Sequence, residues 1–558
     1  MPYLDQTQSP PSSIRFDGQT SPVKNLLFII ICLAWILPGL WGHAPWKFDE
    51  AVNQGIVFDL THGGHWLAPT LAGQRYLVYP PFFFWVSASF VRFFGEWIPL
   101  HDAARLASGF FMVITFTGVG LLARELYGPR AGRMAVITLM GCAGLIIPAH
   151  EMSPSLSWLS GLTWSYYGLI LATRRPMWAG MAWGLGFSLA FLSNGLLAIA
   201  LLIPFLVLVP ILIPAYRTTH WLRYLLSCLF WVIPGPALWL FELHLHDLVT
   251  FNLWWQLLVP TLLSPSQWID RNSNPLYYFI TITWYAWPAY PIAIMALWQQ
   301  RRQFQQKPAN QFGVFVFILS ATILGFATSP TEKNCLPLLI PISILVAGGI
   351  DHLQKGFASA LDWFGVLTFG LITILLWLGW IAQITGHPQN FVNYLDEQLP
   401  GYQFTFKWWA VAVSLTLTVL WILLLLNSHR TVRRAMVNWT SGMTITWILL
   451  MTLWLPYIDS ARSYQSLMQS LGNKLQQYPG CVYSTHLGDA QRGLMVYYLN
   501  IRTTPIPLTN PTQDCHWWLI QGAYPIAPHP IPTPWRLYWS GSRLGDHHER
   551  FYLFRRKP

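Results

Sequence analysis

Long apolar runs, separated by short polar connections, recur along the chain from residue 25 to about residue 458. A helix needs about 20 mostly apolar residues to cross the hydrocarbon core of a membrane, and most of these runs approach that length. Several runs are shortened or interrupted by proline and glycine. We count about thirteen predicted spans, near residues 25–41, 103–123, 131–148, 153–172, 177–193, 196–214, 223–241, 275–298, 312–328, 335–350, 362–384, 406–427 and 439–457.

Basic residues in the connections predict the orientation of the chain. If the tail 1–24 is cytoplasmic, every predicted inner connection carries a base, as the positive-inside rule requires. The bases are Arg124, Arg130, Arg133, Arg174, Arg175, Arg217, Arg223, Arg301, Arg302, Lys307, Lys355, Arg430, Arg433 and Arg434. This orientation places four polar stretches outside, at 43–101, 242–274, 385–405 and after 458.

The outer segments predict structure of their own. In the first outer loop, 43–101, "EAVNQGIVFDLTHGG" and "PPFFFWVSASFVRFFG" are typical of interfacial helices that lie along the membrane plane. Near the C-terminus, "GCVYSTH", "LMVYYLN" and "HWWLIQG" indicate short strands, "SARSYQSLMQSLGNKLQQY" indicates a helix, and "YPIAPHPIPTPW" indicates a Pro-rich loop. We therefore predict a mostly α, polytopic membrane helical bundle over 25–458 and a small extracytoplasmic α/β domain over 459–558.

Composition agrees with the membrane assignment. Hydrophobic residues make up 54% of the chain and charged residues only 10%, and the 32 Trp and 23 Tyr suit many helix ends at the membrane interface. The net charge of +11 resides in short connections, without a nucleic-acid-binding motif. Orientation therefore explains the charge, and no nucleic-acid partner is expected.

The six cysteines fall into two groups. Four lie in or beside apolar runs, where a buried thiol is the ordinary state: Cys32, Cys142, Cys228 and Cys335. Cys481 and Cys515 lie in the C-terminal region, where an extracytoplasmic location would permit a disulfide. The sequence leaves that pairing open.

Two adjacent acids, Asp49 and Glu50, follow the first apolar run in "WKFDEAVNQG". Charge is costly beside a membrane, so an acid pair at this place needs a reason. One interpretation is structural, because acids stabilise the N-terminus of a following helix. The other is catalytic, and the residue types alone do not decide between them.

The order of motifs along most of the chain resembles a known family. After the acid pair come six segments in this order: "GGHWLAPTLAGQRYLVYPPFFFWVSASFVRFFG", "HDAARLASGFF", "GLGFSLAFLSNGLLAIALLIPF", "NPLYYFITITWYAWPAYPIA", "KNCLPLLIPISILVAGG" and "LPYIDSARSYQSLMQSL". This ordered set resembles the C-type, multi-pass membrane glycosyltransferases typified by the lipid A aminoarabinose transferase, and more distantly the protein O-mannosyltransferases.

The resemblance implies transfer of a sugar, with inversion, from a polyprenyl-phosphate donor to a hydroxyl of a lipid, glycan or protein. The reaction would take place at the periplasmic face of a bacterial inner membrane. Asp49 matches the family's first-loop acid, a general base, and Glu50 matches the supporting acid beside it. Arg105 matches a family arginine that either holds phosphate or the first loop, or pairs structurally with an acid such as Asp102. No cofactor is required by this chemistry, and a divalent cation stays open.

The chain departs from the family at three polar positions. Val78 and Tyr79 stand where family members carry Glu-Lys before the Pro-Pro, and Tyr79 can donate a hydrogen bond but carries no charge. Asn194 replaces a second family lysine in "LSNG". A family aspartate near the fourth helix is missing, and His150 and Glu151 lie close enough in sequence to substitute for it.

Two further bases, Arg75 and Lys333, are candidates to neutralise a donor phosphate. The run His244–Asp247, "HLHD", resembles a metal-ligand cluster but lacks further ligands at a fixed spacing, so no metal ligand is assigned. Two rival functions stay open. One is a transporter of a lipid-linked sugar, and the other is a non-catalytic relative that only binds one.

Overall fold

The computed structural model describes residues 22–46, 48–263, 274, 276–427, 431–476, 480–506, 515–522, 535–546 and 549–556. The predicted tail, 1–24, and the predicted Pro-rich loop, 524–535, lie almost wholly outside these residues. Within them the chain is mostly α-helical and carries a small sheet close to its C-terminus, which confirms the predicted fold class.

Twelve helices, α1 to α12, occupy the first half of the described chain, and prolines in the first turn of α5, α7 and α8 fit the start of a helix. They are α1 Pro22–Ile36, α2 Asp49–Thr61, α3 Phe82–Phe94, α4 Leu100–Tyr127, α5 Pro129–Met140, α6 Ile146–His150, α7 Pro154–Leu171, α8 Pro176–Asn194, α9 Leu196–Leu212, α10 Trp221–Val232, α11 Leu238–His246 and α12 Leu248–Leu263.

Eleven more helices follow in the second half of the described chain. They are α13 Tyr277–Tyr285, α14 Ala289–Gln299, α15 Pro308–Ala327, α16 Leu336–Gly349, α17 Lys355–Thr385, α18 Gln389–Gln398, α19 Trp408–Asn427, α20 Arg434–Leu450, α21 Leu455–Arg462, α22 Gln465–Leu475 and α23 Asp489–Leu499.

The predicted count of about thirteen spans is not confirmed. Six helical stretches of the described residues are long and apolar enough to cross a membrane, and nine if each bent helix pair counts as one span. The three pairs are α5 with the segment Ala143–His150, α13 with α14, and α20 with α21, bent by 68°, 103° and 70°. Each pair coincides with a run that the sequence predicts as one span, because an apolar run does not show where its helix breaks.

The first outer loop contains the two predicted helices, α2 and α3, with a short hairpin between them. The hairpin pairs β1, Thr70–Leu71, with β2, Gln74–Arg75. Most of α2 is buried, and α23 of the C-terminal region packs along it. The helix therefore lies beneath the C-terminal domain rather than on an open membrane surface.

A five-stranded sheet forms the core of the small C-terminal domain, as predicted. Its strands are β3 Val482–Thr485, β4 Thr503–Pro505, β5 Trp517–Gly522, β6 Trp535–Gly541 and β7 Arg550–Arg556, in the spatial order β4-β3-β5-β7-β6. The strand β3 is parallel to both neighbours, and β7 is antiparallel to both of its own. Trp517 and Trp518 belong to separate apolar clusters, as side chains that alternate across a sheet should.

One strand prediction is wrong. The run "LMVYYLN" forms most of α23 and not a strand. Its aromatic and β-branched residues favour a strand locally, but Leu494 and Met495 pack into the domain core while Gly493 meets α2. Packing against both the domain core and α2 overrides the local preference.

The structure joins Cys481 and Cys515 in a disulfide, with their Cα atoms 5.0 Å apart. The bond links the residue before β3 to the segment just before the neighbouring strand β5. The other four cysteines are free, and three of them are buried.

Candidate active site

Asp49 is the first residue of α2, where a carboxylate interacts favourably with the helix dipole. Its side chain forms an ion pair with the ammonium group of Lys333. Lys333 lies in the 3₁₀ segment Glu332–Cys335, which leads into α16. Both side chains are partly exposed, Asp49 by 41% and Lys333 by 34%, so a ligand can approach this pair.

Glu50, the next residue, is 1% exposed. Its Oε1 accepts a 2.6 Å hydrogen bond from Arg105 Nε, and its Oε2 accepts a 3.0 Å bond from the Trp46 backbone N–H. Burial opposes ionisation, but the charge of Arg105, the neighbouring His43 and the Trp46 N–H together hold the pKa of Glu50 below its usual range. The two adjacent acids thus have different environments.

Arg105 on α4 is fully buried and connects three parts of the chain. Besides Glu50 it donates to Asp102 Oδ1 at 2.8 Å and to the backbone carbonyls of Leu40 and His43, each at 3.2 Å. Of the roles that the sequence left open, these contacts show the pair with Asp102 and the hold on the first loop, and the contact with phosphate stays a prediction.

Glu151 lies in the connection between α6 and α7, and two hydrogen bonds hold the backbone of this connection. Ser108 Oγ donates to the Glu151 carbonyl at 2.7 Å, and Asn53 Nδ2 donates to the Met152 carbonyl at 2.7 Å. Burial, Glu50 and Asp49 raise the pKa of the Glu151 carboxyl group to about 7, although the positive charges of Lys333 and Arg462 act in the opposite direction.

His150, next to Glu151, is 2% exposed. Its Nδ1 lies 2.5 Å from the carbonyl oxygen of Ile146, and its Nε2 lies 2.8 Å from that of Trp35. Both ring nitrogens thus have backbone partners. The predicted contact between His150 and a substrate stays a prediction.

Tyr79 lies close to Asp49. Burial and the Asp49 carboxylate raise the pKa of Tyr79, and its hydroxyl also has a hydrogen bond with Ser155 at the start of α7. The next residue, Pro80, lies against Gly195, the residue after Asn194 at the end of α8. The two positions that lack the family lysines, Tyr79 and Asn194, therefore border the same part of the molecule.

Arg75 has other partners. It donates to Thr250 Oγ1 at 2.8 Å and to Asp247 Oδ1 at 3.3 Å, which joins the first-loop hairpin to the start of α12. Its side chain is 46% exposed. Among the described residues, Arg75 thus shares no partner with the ion pair between Asp49 and Lys333. Its predicted phosphate contact stays a prediction.

Two residues of the site were missed by sequence reasoning. Arg462, the last residue of α21, is exposed, and its guanidinium group lies 5.3 Å from the centre of the Trp46 ring. Its charge lowers the pKa of Glu151, as the charge of Lys333 does. Burial, and after it Tyr79 and the carboxylates of Asp49 and of Asp489 on α23, raise the pKa of Tyr76 above its usual range. A base at the outer end of the last predicted span was the available signal for Arg462.

The C-terminal domain packs on α2 through α23. The two helices are close together at Gly55 and Gly493, because a Cβ atom at Gly55 would lie 2.5 Å from the Gly493 Cα. At the far end of α2, the buried Asp59 forms a 3.3 Å ion pair with Arg502. The carboxylates at the start of α2 thus lie at the junction of the domain and the helical bundle.

A groove of about 490 Å³ runs between α9 and α15. Its lining is almost entirely apolar and includes Ile199, Ile203, Ile323 and Phe326. On α9 the lining begins at Ile199, a few residues after Gly195. On α15 the lining ends at Ala327, six positions before Lys333 in sequence. The groove is thus lined by segments that follow Asn194 and precede Lys333 in sequence.

Within the part of the chain that the structure describes, no group of three or more His, Cys, Asp or Glu side chains is placed to hold a metal ion. In the predicted "HLHD" cluster, His244 packs against Phe251 and His246 pairs with Glu242, while Asp247 caps α12. A divalent cation at this protein stays an untested expectation.

Comparison with known proteins agrees with the resemblance. No protein-family model matches the chain. The undecaprenyl phosphate-alpha-4-amino-4-deoxy-L-arabinose arabinosyl transferase of Pseudomonas savastanoi pv. phaseolicola is 24% identical over 372 residues, which are 64% of this chain and 66% of that protein. Transferase 2 of the same name from Pseudomonas fluorescens is 23% identical over 365 residues, 62% of this chain and 60% of that protein. The chain thus matches less than two thirds of the length of either relative.

Among solved structures, ArnT from Cupriavidus metallidurans bound to undecaprenyl phosphate superimposes with a TM-score of 0.69 at 16% sequence identity. The superposition covers 96% of this chain and 98% of that one. The structure is therefore that of a multi-pass membrane protein with the fold of the C-type glycosyltransferases. Within that class, its sequence is similar to the aminoarabinose transferases that are named for undecaprenyl phosphate.

Proposed function

We propose that the chain is a membrane glycosyltransferase that moves a sugar from a polyprenyl-phosphate donor to an acceptor hydroxyl. The ion pair between Lys333 and Asp49 carries the proposal, because it places a cation beside the carboxylates at the head of α2. Partly exposed ion pairs are weak, about 0–1 kcal/mol. The partly exposed ammonium group of Lys333 is therefore available to the donor phosphate while Asp49 remains beside it.

The groove between α9 and α15 supports a long lipid donor. Its apolar lining suits a polyprenyl chain that remains in the bilayer, while the phosphate reaches Lys333 and Arg462 at the interface. These two cations would take the place of the family lysines that Tyr79 and Asn194 replace. Tyr79 contributes a hydrogen bond without charge.

The reaction is a single displacement. The acceptor oxygen forms a bond to the anomeric carbon while the bond from that carbon to the phosphate oxygen breaks. Polyprenyl phosphate leaves with the electron pair, the hydroxyl proton passes to a carboxylate, and the configuration at the anomeric carbon is inverted. Asp49 and Glu50 are the acids that the resemblance assigns to this task, and the fully paired Glu50 supports rather than accepts a proton.

The sugar is an aminopentose or another pentose or hexose. The names of the relatives specify 4-amino-4-deoxy-arabinose for those proteins. Lipid A, another glycan and a protein hydroxyl are the candidate acceptors.

The site faces the periplasm in this proposal, in the inner membrane of a bacterium, with the N-terminus in the cytoplasm. The disulfide between Cys481 and Cys515 supports an oxidising compartment for the C-terminal domain. The bases of the predicted inner connections support the same orientation.

The test mixes purified wild-type protein in detergent with undecaprenyl-phosphate sugars and a panel of acceptors. The donors carry 4-amino-4-deoxy-arabinose, arabinose or glucose, and the acceptors are lipid A, a glycolipid and a serine-containing peptide. Transfer with inverted configuration at the anomeric carbon is the expected result. Donor binding without transfer to any acceptor would instead favour a non-catalytic or transport protein.

A further inference from the structure

The first-loop helix and the α6–α7 connection are held together beside the site. Asn53 is one helical turn after Asp49, so both side chains lie on the same face of α2. Asn53 binds the backbone of Met152 at 2.7 Å, and the neighbouring Glu151 is fixed through its own carbonyl by Ser108. The backbone at Glu151 is thus held beside the first two turns of α2, and the charge of Asp49 acts on the Glu151 carboxyl group.

The carboxyl groups of Asp49, Glu50 and Glu151 differ in their partners. Asp49 has the ammonium group of Lys333, and Glu50 has Arg105 and the Trp46 N–H. Among the described residues, none donates a hydrogen bond to the Glu151 carboxyl group. Asp49 and Glu50 thus each have a cation against them, whereas a partly desolvated carboxylate without a donor gains basicity.

We infer that Glu151, and not Asp49, accepts the proton of the acceptor hydroxyl, while Asp49 holds Lys333 in place for the donor phosphate. This role rests on the proposed glycosyl transfer and names the group that takes the proton of the acceptor hydroxyl. As the acceptor oxygen bonds to the anomeric carbon, its hydrogen passes to a carboxylate oxygen of Glu151. Polyprenyl phosphate leaves, and the protonated Glu151 returns its proton to solvent.

The electrostatics of the site are consistent with this assignment. The charged groups that face Glu151 are Asp49 and Glu50 on α2, Lys333 before α16 and Arg462 at the end of α21. Arg105 on α4 is neutralised by its own two acids. Burial and the two acids of α2 bring the pKa of Glu151 to about 7, where a general base works best at neutral pH.

The experiment compares the pH dependence of kcat for wild type, Glu151→Gln, Glu151→Asp and Asp49→Asn, with donor affinity measured for each. In the wild type, kcat should rise with pH through about 7, as Glu151 deprotonates. Glu151→Gln should lose about 100- to 10,000-fold in kcat with donor affinity retained. Glu151→Asp should recover part of the rate.

Asp49→Asn provides the opposing case. It should weaken donor binding and keep far more of kcat than Glu151→Gln, and its rate should begin to rise at a lower pH, because Asp49 raises the pKa of Glu151. Wild-type transfer with full kcat in Glu151→Gln, or with kcat abolished only in Asp49→Asn, would overturn the inference and leave the proposed function intact. A wild-type protein that binds the donor but transfers sugar to no acceptor would overturn both the role of Glu151 and the proposed function. If Glu151→Gln does not fold, an unchanged pH profile in Glu151→Asp would overturn the inference.

Discussion

The side chain of Asn53 on α2 donates a buried hydrogen bond of 2.7 Å to the backbone carbonyl of Met152, 99 positions away in sequence. This contact aligns the helix that begins at Asp49 with the connection that carries Glu151. Neither Asn53 nor Met152 belongs to a recognisable sequence motif. The position of Glu151 is thus set in part by the neutral side chain of Asn53, one turn after Asp49 along α2.

Asn53→Ala should reduce both stability and transfer. The substitution leaves the Met152 carbonyl buried without its donor, which costs about 1–3 kcal/mol. We expect a lower melting temperature and a lower kcat, with donor affinity unchanged, because the phosphate contacts are elsewhere. Asn427→Ala is the matched control, since Asn427 donates to a backbone carbonyl at an exposed helix end. Equal effects of the two substitutions would contradict the role of Asn53.

Arg105→Gln should destabilise the protein strongly. The substitution leaves Glu50 and Asp102 buried without their cation, and breaking a buried ion pair in this way costs about 3–5 kcal/mol. Arg75→Gln is the control, because the exposed pair of Arg75 with Asp247 is worth about 0–1 kcal/mol. Thermal unfolding of the purified variants in detergent measures both. A small effect at Arg105 would show that the first loop is not held by this cluster.

Lys333→Gln should shift the pH profile of transfer. Lys333 lowers the pKa of Glu151, so its removal raises that pKa above about 7 and moves the rise of kcat to higher pH. The KM for the donor should also rise, since the phosphate loses a cation. Lys355→Gln, at the exposed start of α17, should change neither quantity. A profile that moves to lower pH in Lys333→Gln would contradict the electrostatics described here.

Gly55→Ala should loosen the C-terminal domain from α2. The new Cβ atom would meet the backbone of Gly493 at 2.5 Å, and overpacking of this kind costs about 1–3 kcal/mol. Limited proteolysis should release fragments of the C-terminal domain sooner than in the wild type. Gly370→Ala is the control, because its Cβ would meet no atom within 4 Å. Unchanged proteolysis in Gly55→Ala would show that the close contact between α2 and α23 does not hold the C-terminal domain in place.

Replacing Cys481 and Cys515 by serine should destabilise the C-terminal domain by about 2–4 kcal/mol, because the bond restrains the unfolded chain. Maleimide labelling of the denatured wild type should gain two thiols after reduction. Cys142 and Cys228, which are free, should label in the denatured protein with or without reductant. Six reactive thiols in the unreduced protein would contradict the disulfide and the periplasmic location that it supports.

The helical bundle and the C-terminal α/β domain were predictable, because apolar runs and the change of pattern after residue 458 are properties of the local sequence. The number of spans was not. Breaks such as the 103° bend between α13 and α14 depend on packing against neighbouring helices as well as on proline. The run that forms α23 shows the same limit, since its burial against α2 decides its conformation.

The candidate site was predictable only in part. The acid pair and Lys333 were found from their places in an ordered set of motifs, and the structure brings them together. The sequence could not show that Arg105 forms ion pairs with both Glu50 and Asp102, because the two acids are 52 positions apart. Arg462 was missed because its role depends on the position of α21 relative to the first loop.

The most direct test of a polyprenyl-phosphate-dependent transferase follows the release of undecaprenyl phosphate from undecaprenyl-phosphate aminoarabinose in proteoliposomes. Wild type is compared with the double variant Asp49→Asn/Glu151→Gln, in the presence of the acceptor panel. We expect one undecaprenyl phosphate for each sugar transferred by the wild type, and a rate at least about 100-fold lower in the double variant. Equal rates in both proteins, or bound donor that the wild type leaves intact with every acceptor, would contradict the assignment.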